Sequence, residues 1–382
     1  MTLTPIALHA GAHHDPADRT AFEIGWDHAH HRLVPPVEHL HAGHPVRQGW
    51  EAGCAVFGVR TLRATPHVRK WLQLRLNAWL RGKAFDALHV TPLFLRRIEV
   101  AACPVTGVTL THGTGADSDA SVDRVNNDAG YAVGNLAVMS VRANAAKSMY
   151  GWRDAAQFAR QVEAGQLGDI DGLDARQWAR LAVLASFATP LSHAEAAALP
   201  LLVLPPPRLR VLNPAQALQV VLTLRFTRPG RAPRLDQVTR LFPEPLRPLV
   251  CSFMTTLLAR RLAGGACPDA AALRAAMEGA WADALVLRRW QRLALQLTAA
   301  QCERIVAHAV RCAVAPPELR CLDLEAATDG WALDSGGLVA TASPPARTAP
   351  ARRSTAPAGR GRPRPVPAAV PMQVPLALEA GA

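Results

Sequence analysis

Between Cys103 and Ser148 the chain sets Ser121-Val122-Asp123-Arg124-Val125, Gly130-Tyr131, Gly134-Asn135-Leu136 and Arg142-Ala143-Asn144 in close succession, followed by Lys147. Carboxylate and carboxamide groups supply hard oxygen donors, while guanidinium and ammonium groups supply positive hydrogen-bond donors suited to phosphate. Arg124 can hold a phosphate oxygen bidentately or stabilise charge that builds in phosphoryl transfer. It cannot act as a general base, because a guanidinium does not deprotonate in a protein. Taken singly the residues also have bland readings: Asp123 with Arg124 as a surface ion pair, Asn135 as a turn residue beside Gly134, and Asn144 facing solvent. The joint occurrence of Asp, Gly-Tyr, Gly-Asn and Asn-x-x-Lys favours a common functional ancestry.

Short elements must position these groups. Ser121 to Val125 is a β-branched run; Asn126, Asn127, Asp128 and Gly130 bring turn chemistry; Leu136 to Met139 is a second apolar run. A helix is expected from near Ser140, favoured by Ala143, Ala145 and Ala146, with Ser140 as its N-cap.

Strand, loop, strand and helix carrying these residues resemble the HNH, or His-Me finger, endonucleases over about residues 103–148. The resemblance implies a ββα-metal unit in which Asp123 and Asn144 are metal ligands and Asn135 is the loop residue that positions the catalytic base. The implied cofactor is Mg2+ or Mn2+, which oxygen ligands suit. Active relatives usually carry a water-activating His after the strand Asp, where this chain has Arg124. Another base is then required, and His112 is the nearest imidazole in sequence, with Asp117 and Asp119 as alternatives. Carboxylates are weak bases at neutral pH unless their pKa is raised. Many relatives also bind a structural zinc through two C-x-x-C pairs. The equivalent positions here are Cys103, Thr106, Ser140 and Ala143, one thiol of four, so no structural zinc is expected. The module is expected to draw its stability from packing against the rest of the chain.

The 382 residues suffice for two or three domains. No apolar run approaches the ~20 residues of a membrane span, and no basic region followed by an apolar stretch opens the chain as in a secretory signal. Seven cysteines without a C-x-x-C pair fit reduced thiols in a cytoplasmic protein. The net charge of +12 is localised: residues 60–99 hold nine Arg and Lys against Asp86 and Glu99, and the segment from Ser335 holds six Arg against Glu379. Such a surplus suits a polyanion partner.

In the first basic segment an amphipathic helix is expected from about His67 to Arg81. Val68, Trp71, Leu72, Leu76, Trp79 and Leu80 form its apolar stripe. Arg69, Lys70, Arg75, Arg81 and Lys83 lie mostly off the stripe and, with Arg142 and Lys147, are the candidate nucleic-acid contacts; a solvated basic face is the alternative. Nine of fourteen histidines fall in the first 44 residues, but none shows a metal-ligand spacing such as H-E-x-x-H. Structural or incidental roles are favoured over metal.

Beyond Ser148 helical periodicity recurs over 152–164, 175–187, 214–224, 235–241, 246–262 and, as one run, 269–310. The Pro, Ala and Arg-rich stretch from Ser335 is expected to be disordered. The expected architecture is therefore α+β: an N-terminal extension (1–60), the basic helix with a ββα-metal module (61–150), a mainly α-helical C-terminal domain (151–325) and a disordered tail (335–382). The leading functional expectation is a metal-dependent endonuclease acting on DNA, or less readily RNA, with no membrane partner. A non-catalytic nucleic-acid-binding or regulatory protein on a degenerate HNH fold is the alternative, and a helical protein-interaction protein the third.

Overall fold

The computed structural model describes residues 15–165, 167–227, 235–316 and 319–338. The first described elements are α1 (Pro16–His30) and α2 (Pro45–Phe57), both within the N-terminal extension expected over 1–60. They run side by side in the same direction, because Phe22 meets Gly49 and His30 stacks on Phe57 at 4.2 Å. The return loop between them carries a 3-10 turn at Val37–His39. The two helices approach so closely that a Cβ on Gly25 would lie 1.9 Å from the Val46 carbonyl oxygen, and one on Gly49 would lie 1.9 Å from that of Phe22.

Helix α3 (Pro66–Leu80) follows, and α4 (Pro92–Arg97) packs against it. All four helices start with a capping side chain followed by proline at the first helical position, where a missing N–H has no cost. The apolar residues of α3 serve two faces rather than one stripe. Leu76 and Trp79 join Ala21, Ile24 and Val46 of the helix pair, while Val68, Trp71, Leu72, Leu74 and Ala78 enter the main core. Leu80, expected in the stripe, is exposed.

The ββα unit consists of β1 (Ala120–Arg124), β2 (Leu136–Ser140) and α5 (Val141–Lys147). The strands are antiparallel, with Asp123 opposite Ala137 and Arg124 opposite Leu136. Ser140 caps α5 through the Ala143 N–H.

The remainder is helical: α6 (Trp152–Glu163), α7 (Ala175–Phe187), α8 (His193–Ala198), α9 (Pro214–Leu224), α10 (Leu235–Thr239), α11 (Arg247–Ala263), α12 (Ala270–Ala280), α13 (Ala284–Ala294), α14 (Ala299–Arg311) and α15 (Leu324–Ala327). The run expected over 269–310 is three helices, because Asp283 and Thr298 cap new ones after short turns. Trp281, Trp290 and Phe253 pack together at its centre. Module and helices share one hydrophobic cluster extending from Val68 to Trp331, so the boundary near residue 150 does not divide the core. The fold is thus mainly helical with a small two-stranded sheet.

The segment after α15 returns to the module. Trp331 donates its indole N–H to the Val133 carbonyl and accepts from the Gly130 N–H, and Leu338 N–H reaches the Trp79 carbonyl. Ser335 to Leu338, assigned to the disordered tail from sequence, are therefore docked on α3; residues 339–382 lie outside the described residues.

Candidate functional site

Ser121 and Asp123 alternate on β1 and share the face turned to α5, as the two-residue period of a strand dictates. Asn144 and Lys147, one turn apart on α5, meet them. Asn144 donates from Nδ2 to Ser121 Oγ at 2.9 Å, and Lys147 Nζ lies 2.8 Å from Asp123 Oδ2. Asp123 and Asn144 thus lie on one strand–helix face, each engaged by a different partner.

Lys147 is the residue whose role the sequence misassigned. It is not a surface phosphate contact: only 1% of it is exposed. Its ammonium also donates to the Arg124 carbonyl oxygen at 2.9 Å and to Asn127 Oδ1 at 3.1 Å. Two of its N–H groups thus donate to oxygens, while the Asp123 contact is an ion pair that leaves Oδ2 buried without a hydrogen-bond partner among the described residues.

Arg124 is likewise turned inward and 7% exposed. Its Nη1 donates to the carbonyls of Asn127 and Ala129 at 2.9 Å each, and its guanidinium lies over the Tyr131 ring. It holds the β1–β2 loop from inside rather than presenting donors to a phosphate. Asn135 is fully buried and clamps the same loop: Oδ1 accepts from Asn126 N–H at 2.8 Å, and Nδ2 donates to the carbonyls of Asn126 and Gly130. This is a positioning role, exercised on the loop backbone.

The candidate bases sit on the loop before β1. His112 is exposed there. Asp119 is buried and accepts from Thr111 Oγ1, Thr114 Oγ1 and the Gly115 N–H. Burial raises its pKa, but these hydrogen bonds outweigh that and hold its carboxyl below the usual range. A lowered pKa makes Asp119 a poorer base, not a better one. Lys70 on α3 lies toward this loop; burial pushes its pKa down, opposed by the Asp119 charge.

Cys103, Thr106 and Ser140 meet around a single thiol. Cys103 Sγ accepts from Ser140 N–H, Ser140 Oγ and Thr106 N–H at 3.3, 3.4 and 3.4 Å. Burial raises the Cys103 pKa, and these donors bring it below the ordinary thiol value. The knot ties the loop before β1 to the start of α5.

The pair implied for Mg2+ or Mn2+ does not fit such an ion as it stands. Asp123 Oδ2 already faces a buried ammonium, and Asn144 is engaged with Ser121. Among the described residues no group of three His, Cys, Asp or Glu is placed to hold a metal. The N-terminal histidines are used in packing: His28 Nδ1 bonds the Ile24 carbonyl, and His39 and His44 stand edge-on to Trp79.

Of the expected nucleic-acid contacts, Arg75 is a second correction. It is buried on α3 at 6% exposure, pairs with Asp27 and Glu23 of α1 and lies over Trp71. Arg142 reaches the Gly172 carbonyl but remains partly exposed. Arg69 and Arg81 are exposed, and Lys70 and Lys83 are half-buried. The sequence reading missed Arg96 and Arg97 as candidates. Both are exposed in the last turn of α4, and the His67–Glu99 contact at 2.8 Å ties the residues just after that turn to the start of α3. Their place in the surplus over 60–99 was the available signal.

No family model, curated protein or solved structure matches the chain.

Proposed function

We propose that the chain is a nucleic-acid-binding protein, with DNA the favoured partner, that keeps the ββα form without its hydrolytic chemistry. One observation carries the reading: Arg69 on α3 and Arg96 and Arg97 on α4 are all exposed, and none of them is paired with a carboxylate among the described residues. The two acidic groups of this basic segment are otherwise engaged, Asp86 with His89 and Glu99 with His67. Arginines left without a local counter-charge suit a phosphate backbone. The reading as a binder rather than a nuclease is supported by the inward Arg124, the Lys147-paired Asp123 and the low-pKa Asp119. No helix among the described residues is long and apolar enough to cross a membrane.

Fluorescence anisotropy with duplex DNA and with RNA, over a salt series, tests the reading. Each phosphate neutralised steepens the dependence of log affinity on log salt by about 0.9 on duplex DNA. The triple variant Arg69→Glu, Arg96→Glu, Arg97→Glu should bind more weakly, with a shallower slope. Parallel plasmid incubation with Mg2+ and Mn2+ should leave the DNA intact. Cleavage abolished by Asp123→Ala would restore the endonuclease reading, and no retention of any nucleic acid at low salt would favour the helical interaction protein.

A further inference from the structure

The Lys147 ammonium sits among three oxygens of different kinds: a carboxylate from Asp123, a main-chain carbonyl from Arg124 and a carboxamide from Asn127, at 2.8, 2.9 and 3.1 Å. Carboxylate, carbonyl and carboxamide oxygens converging on one cation are the donor types that hard divalent ions select. The lysine stem is withdrawn from solvent, and Asn135 and Arg124 fix the loop that carries Asn127. The loop that carries Asn127 is therefore held by groups other than the ammonium, whereas the Asp123 Oδ2 meets only the ammonium and has no hydrogen-bond partner among the described residues. A cation-shaped site exists, and the chain fills it with its own side chain.

We infer that Lys147 is a built-in cation replacing a divalent ion, and that removing its ammonium opens a site for Mn2+, Mg2+ or Ca2+ on Asp123, Asn127 and the Arg124 carbonyl, completed by water. The lysine delivers one positive charge at the end of a fixed stem, so the site needs no ion from solution. It also leaves no open coordination position for a substrate oxygen. The inference concerns the cation chemistry of the module and is independent of whether nucleic acid binds at the arginines of α3 and α4.

Mn2+ is the probe, because the spectrum of the aqueous ion is lost on binding. Full-length wild type, Lys147→Ala and Lys147→Ala with Asp123→Asn are titrated with Mn2+ by electron paramagnetic resonance, and their melting is followed with and without the ion. The expected result is no Asp123-dependent binding to wild type, one Mn2+ per chain in Lys147→Ala with a rise in its melting temperature, and loss of both in the double variant. Should Lys147→Ala not fold alone, refolding it with Mn2+ or Ca2+ gives the same decision, since recovery of cooperative melting that needs Asp123 supports the site. A wild type that binds Mn2+ through Asp123 overturns the inference. So does a folded Lys147→Ala that binds none, or one that no divalent ion rescues.

Discussion

Asn135 shows how a residue of catalytic appearance can be accounted for by the backbone it holds. Its carboxamide closes two loop carbonyls and one N–H in a fully buried position. Asn135→Ala leaves those groups unpaired and should cost about 2 to 4 kcal/mol, read as a lower urea midpoint. Nucleic-acid affinity measured where the variant is folded should stay near wild type, because the exposed arginines of α3 and α4 lie elsewhere. His28 provides a pH test at the same scale. Burial pushes its pKa below the ordinary imidazole value of 6.5, with the Ile24 hydrogen bond opposing, so the folded state disfavours the charged ring. Its stability contribution is complete above pH 6.5 and is lost as pH falls from 6.5 through the depressed folded value, since the unfolded chain takes the proton first. Melting temperature should therefore drop from pH 7 toward pH 5, and less so in His28→Gln; an equal drop in both would remove His28 from the account.

At the scale of elements, the knot at Cys103 tests whether the loop before β1 and the start of α5 keep a zinc-knuckle arrangement. Cys103 Sγ and Ser140 Oγ are 3.4 Å apart, Thr106 approaches the same sulfur and Ala143 is capped by Ser140. Installing Thr106→Cys, Ser140→Cys and Ala143→Cys together should yield a chain that binds one zinc, measured by metal analysis, and melts higher with it than without. A folded triple variant with no zinc would mean that the four positions do not converge. Much of this unit was legible because strand period, turn residues and the Ser140 cap are local: the expected Leu136 to Met139 strand and helix start match β2 and α5 to within a residue. What was hidden depends on distant partners. Arg75 reads as a surface charge until Asp27 arrives from 48 positions earlier, and Lys147 reads as a phosphate ligand until β1 brings Asp123 beside it. Helices α1 and α2 were missed because their contact is made by glycine, which carries no hydrophobic signal. Gly49→Ala would push a methyl into the Phe22 carbonyl, and faster hydrogen exchange confined first to α1 and α2 is the expected consequence.

The whole molecule is closed by the segment that follows α15. Trp331, 8% exposed, bonds Gly130 and Val133 of the loop that Arg124 and Asn135 hold from within, and Leu338 fastens the chain to the end of α3 near Arg81 and Lys83. Charge and packing therefore separate along the C-terminus. Of the segment after α15, Trp331 enters the core, while the six arginines of the last stretch follow Leu338 in sequence. Two truncations should then differ in kind. Ending the chain after Leu338 should leave melting within a degree or two of wild type, since every core residue among the described ones is kept, yet lower affinity for duplex DNA and flatten its salt dependence by removing positive charge. Ending it after Ala327 also removes Trp331, whose loss alone as Trp331→Ala should cost about 3 to 5 kcal/mol by large-to-small truncation in a core. Hydrogen exchange should then rise across residues 126–135, the loop on which Trp331 rests. If both truncations destabilised the loop equally, the anchoring contacts would have to lie beyond Leu338, and the division between packing and charge would be wrong.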